Sequence, residues 1–301
     1  MSLTDVISSN PASTAGAPAV IPPAASIPQT RTVIEPARSW QLINASELWR
    51  FRELLFFLVW RDVKVRYKQT LLGAAWAILQ PALLMVVFTI FFARMAKLPA
   101  GDWPYPLFVY AGLLPWTFFS TAIAQAAQSV VASERLITKV YFPRLAIPFA
   151  AVGAAVVDSA LAFTLLLGMM TWYGVMPGPG VLLVPVVIFF MLLAAAGVGT
   201  LLAALNVAYR DFRYVVPFLI QVWMFATPTI YMDPLANGAG RLDYLLAANP
   251  LSPLVASFRS AALGGEIPWL GLAIAAAMSI VMFVVGCLYF RKVEDGFSDV
   301  I

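Results

Sequence analysis

The chain has 301 residues, of which 61% are hydrophobic and 11% are charged, and its formal net charge at pH 7 is +4. Globular domains carry about 25% charged residues, so this composition excludes an ordinary soluble domain and predicts an all-α integral membrane protein. The sequence has no histidine and a single cysteine, Cys287, which excludes histidine-based catalysis, histidine metal ligands and an internal disulfide.

The amino-terminal segment differs from the rest of the chain. Residues 1–30 are rich in Ala, Pro and Ser, and Asp5 is their only charged residue. Because the segment lacks Lys, Arg and a long apolar core, we do not expect it to be a signal peptide. We predict a disordered cytoplasmic tail over residues 1–39 and one transmembrane domain over residues 40–301.

A basic and aromatic segment follows the tail and reads SELWRFRELLFFLVWRDVKVRY from Ser46 to Tyr67. Its apolar residues recur at helical spacing, and its longest apolar run, Leu54–Trp60, is too short to span a membrane. The pattern predicts an amphipathic helix over about residues 47–67, lying in the cytoplasmic interface with basic residues towards anionic headgroups. The alternative is that this segment is only the basic flank of the first span.

Six apolar segments are predicted to cross the membrane. Five of them contain no charged residue, and the third contains only Asp158. The predicted spans are residues 71–93, 106–128, 146–171, 181–206, 214–232 and 267–290. In the fourth span, Gly197 and Gly199 lie among alanines, and this small-residue face predicts close helix packing.

The segment between the fifth and sixth spans is apolar but too short to cross. Its uncharged run, Tyr244–Phe258, is interrupted by Pro250 and Pro253. Proline breaks helices, so we predict a re-entrant helical hairpin on the periplasmic side, packed against protein or lining water.

The distribution of Lys and Arg predicts the orientation. With the amino terminus in the cytoplasm, four of the 19 basic residues lie on the opposite side, namely Arg94, Lys97, Arg241 and Arg259. The positive-inside rule therefore places both termini in the cytoplasm, which an even number of spans requires.

A short charged island interrupts the apolar sequence between the second and third spans, reading VASERLITKVYFPRLAIP from Val131 to Pro148. Such an island between two spans is typical of a cytoplasmic loop, and we expect its apolar residues to project into a soluble partner. The charged residues are Glu134, Arg135, Lys139 and Arg144, and the apolar ones are Leu136, Ile137, Val140, Tyr141 and Phe142.

Asp158 and a group of aromatic residues are the candidates for a substrate path. An ionisable residue inside a span is by default a functional candidate, either facing a water-filled path or pairing with a polar group on another helix. An interfacial carboxylate satisfied by Ser159 or by backbone is equally consistent with the sequence. Aromatic faces suit the apolar faces of sugar rings, while an interfacial aromatic belt or lipid-facing packing is the alternative. The aromatic candidates are Trp103, Tyr105, Phe108, Tyr110, Trp116, Phe118 and Phe119.

No catalytic motif accompanies these residues. The sequence has no Gly-x-x-x-x-Gly-Lys-Ser/Thr loop, no Cys or His cluster and no carboxylate pair at the spacing of a polyprenyl-phosphate enzyme. The absence of a catalytic constellation argues against an enzyme, and we expect no nucleotide hydrolysis through such a loop by this chain.

Several separated motifs occur in one order along residues 40–301. They are RDVKVRYKQTLLGAAWAILQP, ITKVYFPR, NVAYRDFRYVVPF, NPLSPLVASFR and the terminal FRKVEDGFSDVI. In this combination the chain resembles the permease subunit of bacterial ABC-type exporters of lipid-linked polysaccharide, which move O-antigen, capsule or teichoic-acid polymers.

The resemblance implies a homodimer in the bacterial inner membrane, docked on two copies of a separate ATPase subunit that binds ATP and Mg. No cofactor is expected on this chain and no nucleic acid as partner. The cargo would be an undecaprenyl diphosphate-linked glycan passing between the protomers, with Trp103, Tyr105, Tyr110, Trp116, Phe118, Phe119 and Asp158 as path candidates. The ATPase-coupling loop would comprise Glu134, Arg135, Leu136, Ile137, Lys139, Tyr141, Phe142 and Arg144.

The same resemblance suggests where the lipid headgroup binds. Four basic residues just before the first span are placed to attract a diphosphate, and ordinary positive-inside flanking is the alternative reading of each. They are Arg61, Lys64, Arg66 and Lys68.

Other functions are compatible with parts of the sequence. A permease for a small hydrophobic drug or lipid is the nearest alternative. A polyprenyl-lipid membrane enzyme or a passive channel belongs to a different class, and neither needs an apolar loop for an ATPase.

Overall fold

We analysed a computed structural model of the chain. It describes residues 49–68, 70, 72–95, 103–139, 142–229 and 249–297, all within one compact unit, Arg38–Ile301. The predicted tail, the start of the interface helix, Val140, Tyr141, the first half of the predicted hairpin and the last four residues lie outside the described residues.

Every element in the described part of the chain is helical. We number the α-helices in chain order: α1 Arg52–Tyr67, α2 Ala75–Phe88, α3 Tyr105–Ala132, α4 Glu134–Ile137, α5 Ala146–Tyr173, α6 Val184–Ala208, α7 Phe212–Phe225, α8 Leu251–Leu263 and α9 Trp269–Val293. A π-helical stretch, Thr89–Met95, continues α2, and 3-10 turns precede α6 (Pro179–Leu183) and follow α9 (Glu294–Gly296).

Five helices are long and apolar enough to cross a membrane: Ala75–Phe92, Tyr105–Ala132, Ala146–Tyr173, Pro179–Ala208 and Trp269–Val293. They match the first four predicted spans and the last, so the chain is a multi-pass membrane protein. The predicted fifth span corresponds to α7, which has 14 residues. At 1.5 Å per residue it is about 21 Å long, less than the roughly 30 Å of a bilayer core.

The central helix of the bundle is α3, most of which is buried. It packs on α5 and α6, and α6 in turn packs on α9. A Cβ at Gly197 would lie 2.5 Å from the Met282 backbone of α9, and one at Gly199 would lie 2.6 Å from the Ala126 Cβ of α3. The small-residue packing predicted for the fourth span is therefore confirmed, with each glycine facing a different helix.

Helix α1 packs against α5 along one face. Leu58 is buried, and Val59 lies against Gly153, where a Cβ would be 2.8 Å from the Val59 Cγ2. The opposite face exposes large aromatic side chains among the charged ones, with Phe56 70% and Trp60 57% exposed. The helix thus has one face suited to protein and another suited to a membrane interface, rather than one apolar and one polar face.

The loops of the bundle gather at two ends. At one end, which we call the α8 end, Trp103 Nε1 donates to the Leu263 carbonyl at 3.2 Å, and Gly178 lies beside Gly264. At the other, the α4 end, Arg144 donates to the Glu294 carbonyl after α9.

Buried polar groups connect α8 to α7 and α3. The Asn249 side chain accepts from Trp223 Nε1 at 2.9 Å and donates to Thr227 Oγ1 at 2.8 Å. Arg259 is buried, donates to the Thr229 carbonyl at 2.7 Å, and lies 3.8 Å from the centre of the Phe108 ring. These bonds attach the described half of the predicted hairpin firmly to the bundle.

Candidate functional site

The charged island between α3 and α5 forms a short helix, α4, and a turn. Glu134, Arg135 and Lys139 are exposed, as expected for a surface that a soluble partner contacts. Leu136 and Ile137 are half-buried against the cluster of apolar residues at the α4 end of the bundle. The exposed tip of this loop is therefore mainly charged in the described residues.

Phe142 differs from the expectation that it projects into a partner. Its side chain is only 5% exposed and packs with residues of α5, α6 and α9. The reason is that Pro143 and Arg144 turn the chain into α5 at this point, which directs the ring into the bundle. Phe142 is thus an anchor of the loop, and Tyr141 lies outside the described residues.

Arg144 connects this loop to the end of α9. Its Nη1 donates to the Glu294 carbonyl, and Arg291 pairs with the Glu294 carboxylate at 3.4 Å. The terminal motif predicted from the sequence contributes here, since Phe297 is buried and meets Phe290 edge to face at 5.2 Å. Arg144 therefore serves within the chain, between the loop and α9.

A cavity of about 430 Å³ lies beside α4. It is lined by Glu134 from the loop and by Arg210, Arg213 and Tyr214 from the connection between α6 and α7. Asn206 closes its inner side and donates to the Ala127 carbonyl at 2.8 Å. The lining residues from this connection belong to the motif NVAYRDFRYVVPF, and only the structure brings that motif beside α4.

Asp158 belongs to a polar cluster that joins three helices. Arg66 of α1 donates through Nη1 to Asp158 Oδ2 and through Nη2 to Gln125 of α3, and Tyr67 donates to Asp158 Oδ1. The Arg66 and Asp158 side chains retain 28% and 16% exposure. The partners of the Asp158 carboxylate are thus on α1, and an interhelical ion pair takes the place of the Ser159 or backbone partner that the sequence left open.

Burial and nearby charges shift the pKa values of Arg66 and Tyr67, the two residues that α1 contributes to this cluster. Burial lowers the pKa of Arg66, and the nearby Tyr67 and Asp62 partly oppose this effect. Burial raises the pKa of Tyr67, while Arg66 lowers it in part. The Tyr67 hydroxyl therefore stays protonated at neutral pH and acts as a donor to the carboxylate.

Two recesses adjoin the cluster. The first, which we call the α1–α3 groove, has a volume of about 450 Å³ and is lined by Arg61, Arg66, Gln125, Gln128 and Ser129, among others. The second, the inner cleft, has a volume of about 140 Å³ and includes Gln80, Thr117, Ser120 and Asp158. The Arg66–Asp158 pair lies between the two recesses.

The four basic residues predicted for a lipid headgroup are divided by the fold. Arg61 and Arg66 line the α1–α3 groove, and Arg61 is paired with Asp62 at 2.8 Å. Lys64 and Lys68 are exposed on α1 and do not line that groove.

The aromatic candidates for a glycan path are mostly core residues. Tyr110 and Phe119 are fully buried, and the Tyr110 hydroxyl donates to the Ala162 carbonyl at 2.8 Å. Trp116 and Phe118 are also buried but line the inner cleft. Aromatic residues are the largest contributors to packing, and here they fill the contacts of α3 with its neighbours.

Trp103 and Tyr105 at the α8 end are half-buried. Among the candidates for the glycan path, these two residues and Asp158 of the inner cleft are the ones that remain partly exposed.

The described residues thus form membrane-length helices with a charged loop at one end, and they contain no group of His, Cys, Asp or Glu that could hold a metal ion. The ABC-2 type transporter family matches residues 53–263, from α1 to the end of α8, and the chain belongs to this family.

Individual relatives are similar over nearly their whole length. The chain is 32% identical to the O-antigen export system permease protein RfbA of Myxococcus xanthus over 84% of its own length and 97% of the relative. It is 24% identical to the protein of the same name from Klebsiella pneumoniae, with 83% and 95% covered. It is 23% identical to the polysialic acid transport protein KpsM of Escherichia coli, with 78% and 91% covered.

Proposed function

We propose that this chain is the transmembrane subunit of an ABC transporter that exports an O-antigen-type polysaccharide, linked to undecaprenyl diphosphate, across the bacterial inner membrane. The observation that carries the proposal is the similarity to an O-antigen export permease across 97% of that protein. A second relative whose name specifies polysialic acid transport supports a polymeric glycan as the cargo class.

The proposed topology has six spans and both termini in the cytoplasm. Support for α7 as part of the fifth span comes from where its flanks lie. Tyr214 lines the cavity at the α4 end, whereas Thr229 contacts Arg259 of α8 near the opposite end. The segment 212–229 thus extends most of the way from the α4 end of the bundle to the α8 end. The predicted hairpin would cap the exit on the periplasmic side.

The proposed assembly is a homodimer with two ATPase subunits. Large apolar residues are exposed along α7, with Phe218 65% and Phe225 61% exposed. In the membrane-length helix Ala75–Phe92, which begins with α2, only 6% of the residues are buried. These two helices therefore offer the apolar surface that a second protomer would cover, with the glycan path between the protomers.

The ATPase subunit would contact the α4 end. The exposed charges of α4 and the neighbouring Arg210 and Arg213 suit a polar surface of a soluble protein. ATP binding and hydrolysis on that subunit would supply the driving force. Movement of α4 would reach α5 directly through the turn at Phe142, and α9 through the bond between Arg144 and the Glu294 carbonyl.

The test is deletion of the gene, complementation in the same strain, and affinity purification of the tagged chain from its own membranes. We expect loss of polymer from the cell surface, accumulation of lipid-linked glycan inside, and a stoichiometric nucleotide-binding protein in the eluate. Normal surface polymer after deletion, with an ATPase still bound, would redirect the proposal to a small hydrophobic cargo. A clean homo-oligomer without ATPase would overturn the transporter assignment in favour of a channel or a membrane enzyme.

A further inference from the structure

The α1–α3 groove combines charge with neutral hydrogen-bond donors. Arg61 and Arg66 line it from α1, and Gln128 and Ser129 line it from α3. Guanidinium groups match phosphate oxygens with their fork of N–H donors, and amide and hydroxyl groups add further donors. A phosphate-bearing group is therefore the ligand chemistry that this groove suits best.

The surface next to the groove is apolar. Val65 lines the groove and is 69% exposed, and Phe57, one turn before Arg61 on the same side of α1, is 62% exposed. A free phosphate has no use for such a surface, whereas a phosphate attached to a hydrocarbon chain does. The neighbouring aromatic face thus favours a lipid-borne phosphate over a soluble one.

Both arginines of the groove are already paired with carboxylates. Arg61 is paired with Asp62, and Arg66 is paired with Asp158 across 92 residues of sequence. A diphosphate needs at least one guanidinium that it does not share with a carboxylate. Arg66 lines the groove, whereas Asp158 lines the inner cleft, so a ligand in the groove would compete with the carboxylate for the Arg66 guanidinium.

We propose that the α1–α3 groove binds a phosphate-bearing headgroup through Arg66, and that Asp158 is a built-in competitor for the same guanidinium. The inference rests on the proposed function, since it specifies how a lipid diphosphate is recognised. Headgroup binding draws Arg66 away from Asp158 and leaves the hydrogen bond from Tyr67 to Asp158 as the link of this cluster between α1 and α5. The contact of α1 with α5 is thereby loosened, and the inner cleft beside Gln80 and Ser120 opens.

The competition gives a prediction of definite sign. Removing the charge of Asp158 frees Arg66, so Asp158→Asn binds a diphosphate about tenfold more tightly than the unchanged protein, which corresponds to about 1.4 kcal/mol. Arg66→Gln weakens binding by at least about tenfold, whether or not Asp158 is changed. A carboxylate that merely holds two helices together predicts no gain in affinity.

The experiment uses the full chain in nanodiscs of zwitterionic lipid, with farnesyl diphosphate and inorganic diphosphate as separate probes in calorimetric titrations. Binding of farnesyl diphosphate alone identifies a lipid headgroup as the source, and equal binding of both probes identifies a general phosphate site. Glu53→Gln is the matched control, because it removes the same charge from an exposed position of α1 outside the groove. We expect it to leave both affinities unchanged.

A second variant covers the case in which Asp158→Asn is poorly folded. Gln128→Glu adds a carboxylate at an exposed position of the groove without touching the Arg66–Asp158 pair, and we expect it to weaken binding by about tenfold. Unchanged affinity in both Asp158→Asn and Gln128→Glu overturns the inference.

The failure of the inference can be separated from that of the proposed function. If Arg66→Gln abolishes binding but Asp158→Asn does not tighten it, the headgroup site stands and the competition is wrong. If neither the unchanged protein nor any variant binds either probe while deletion still removes surface polymer, the headgroup site is wrong and the export function stands. If deletion leaves the surface polymer intact, the proposed function itself fails.

Discussion

Phe142 illustrates how one side chain can position a loop from inside the protein. It is 5% exposed and packs at the α4 end with residues of α5, α6 and α9. Arg135, seven positions earlier, is exposed and lies on the charged face of α4. Within one short loop, the residue that holds the loop in place can therefore be distinguished from a residue available to the ATPase.

The prediction at this scale concerns Phe142→Ala and Arg135→Ala. Phe142→Ala removes a buried ring and should reduce stability by about 3 kcal/mol, seen as a lower midpoint of thermal unfolding in detergent. Arg135→Ala should leave that midpoint unchanged but reduce the stimulation of ATP hydrolysis in the reconstituted complex. The reverse result, a stable Phe142→Ala with normal folding and altered coupling, would show that the ring contacts the partner.

Helix pairs in this bundle are set by the size of the residues at their crossings. At Gly197 the α9 backbone comes so close that a Cβ would lie 2.5 Å from the Met282 carbonyl carbon. At Gly168, on α5, a Cβ would meet nothing within 4 Å. The two glycines are chemically the same and are both helical, so they separate the effect of packing from the effect of helix propensity.

This pair yields the prediction at the scale of elements. Gly197→Ala should force α6 and α9 apart and destabilise the protein by about 1–3 kcal/mol. Gly168→Ala should be neutral or stabilising by up to about 1 kcal/mol, because alanine is the better helix former. Thermal unfolding midpoints of the two variants in one detergent provide the comparison. Equal effects of the two changes would mean that the α6–α9 contact is not tight.

For the whole molecule, the grouping of loops at two ends predicts which segments share a side of the membrane. Lys139 is exposed in the loop at the α4 end, and Met176 is 88% exposed in the turn between α5 and α6. The natural cysteine, Cys287, is 1% exposed. New cysteines can therefore report the orientation with little background.

We expect Met176→Cys to react with a membrane-impermeant maleimide in intact spheroplasts. Lys139→Cys should react only after the membrane is permeabilised, because the positive-inside rule places its loop in the cytoplasm. The unchanged protein serves as the control for Cys287. Labelling of Lys139→Cys from outside would invert the proposed topology.

Some properties of this protein follow from the sequence alone. Composition determines a membrane protein, because 61% hydrophobic residues cannot be buried by a chain of this length in water. Apolar runs of at least about 20 residues located five spans, and Gly197 and Gly199 correctly indicated close packing. These signals are local, since each depends on residues near one another in the sequence.

Other properties required the tertiary structure. No local pattern shows that Asp158 pairs with Arg66, that Arg210 lies beside α4, or that Phe142 and Tyr110 point into the core. In the membrane-length helices nearly every face is hydrophobic, so periodicity cannot separate faces in contact with protein from faces in contact with lipid. Which face is buried, and which charges meet, is decided only when the helices pack.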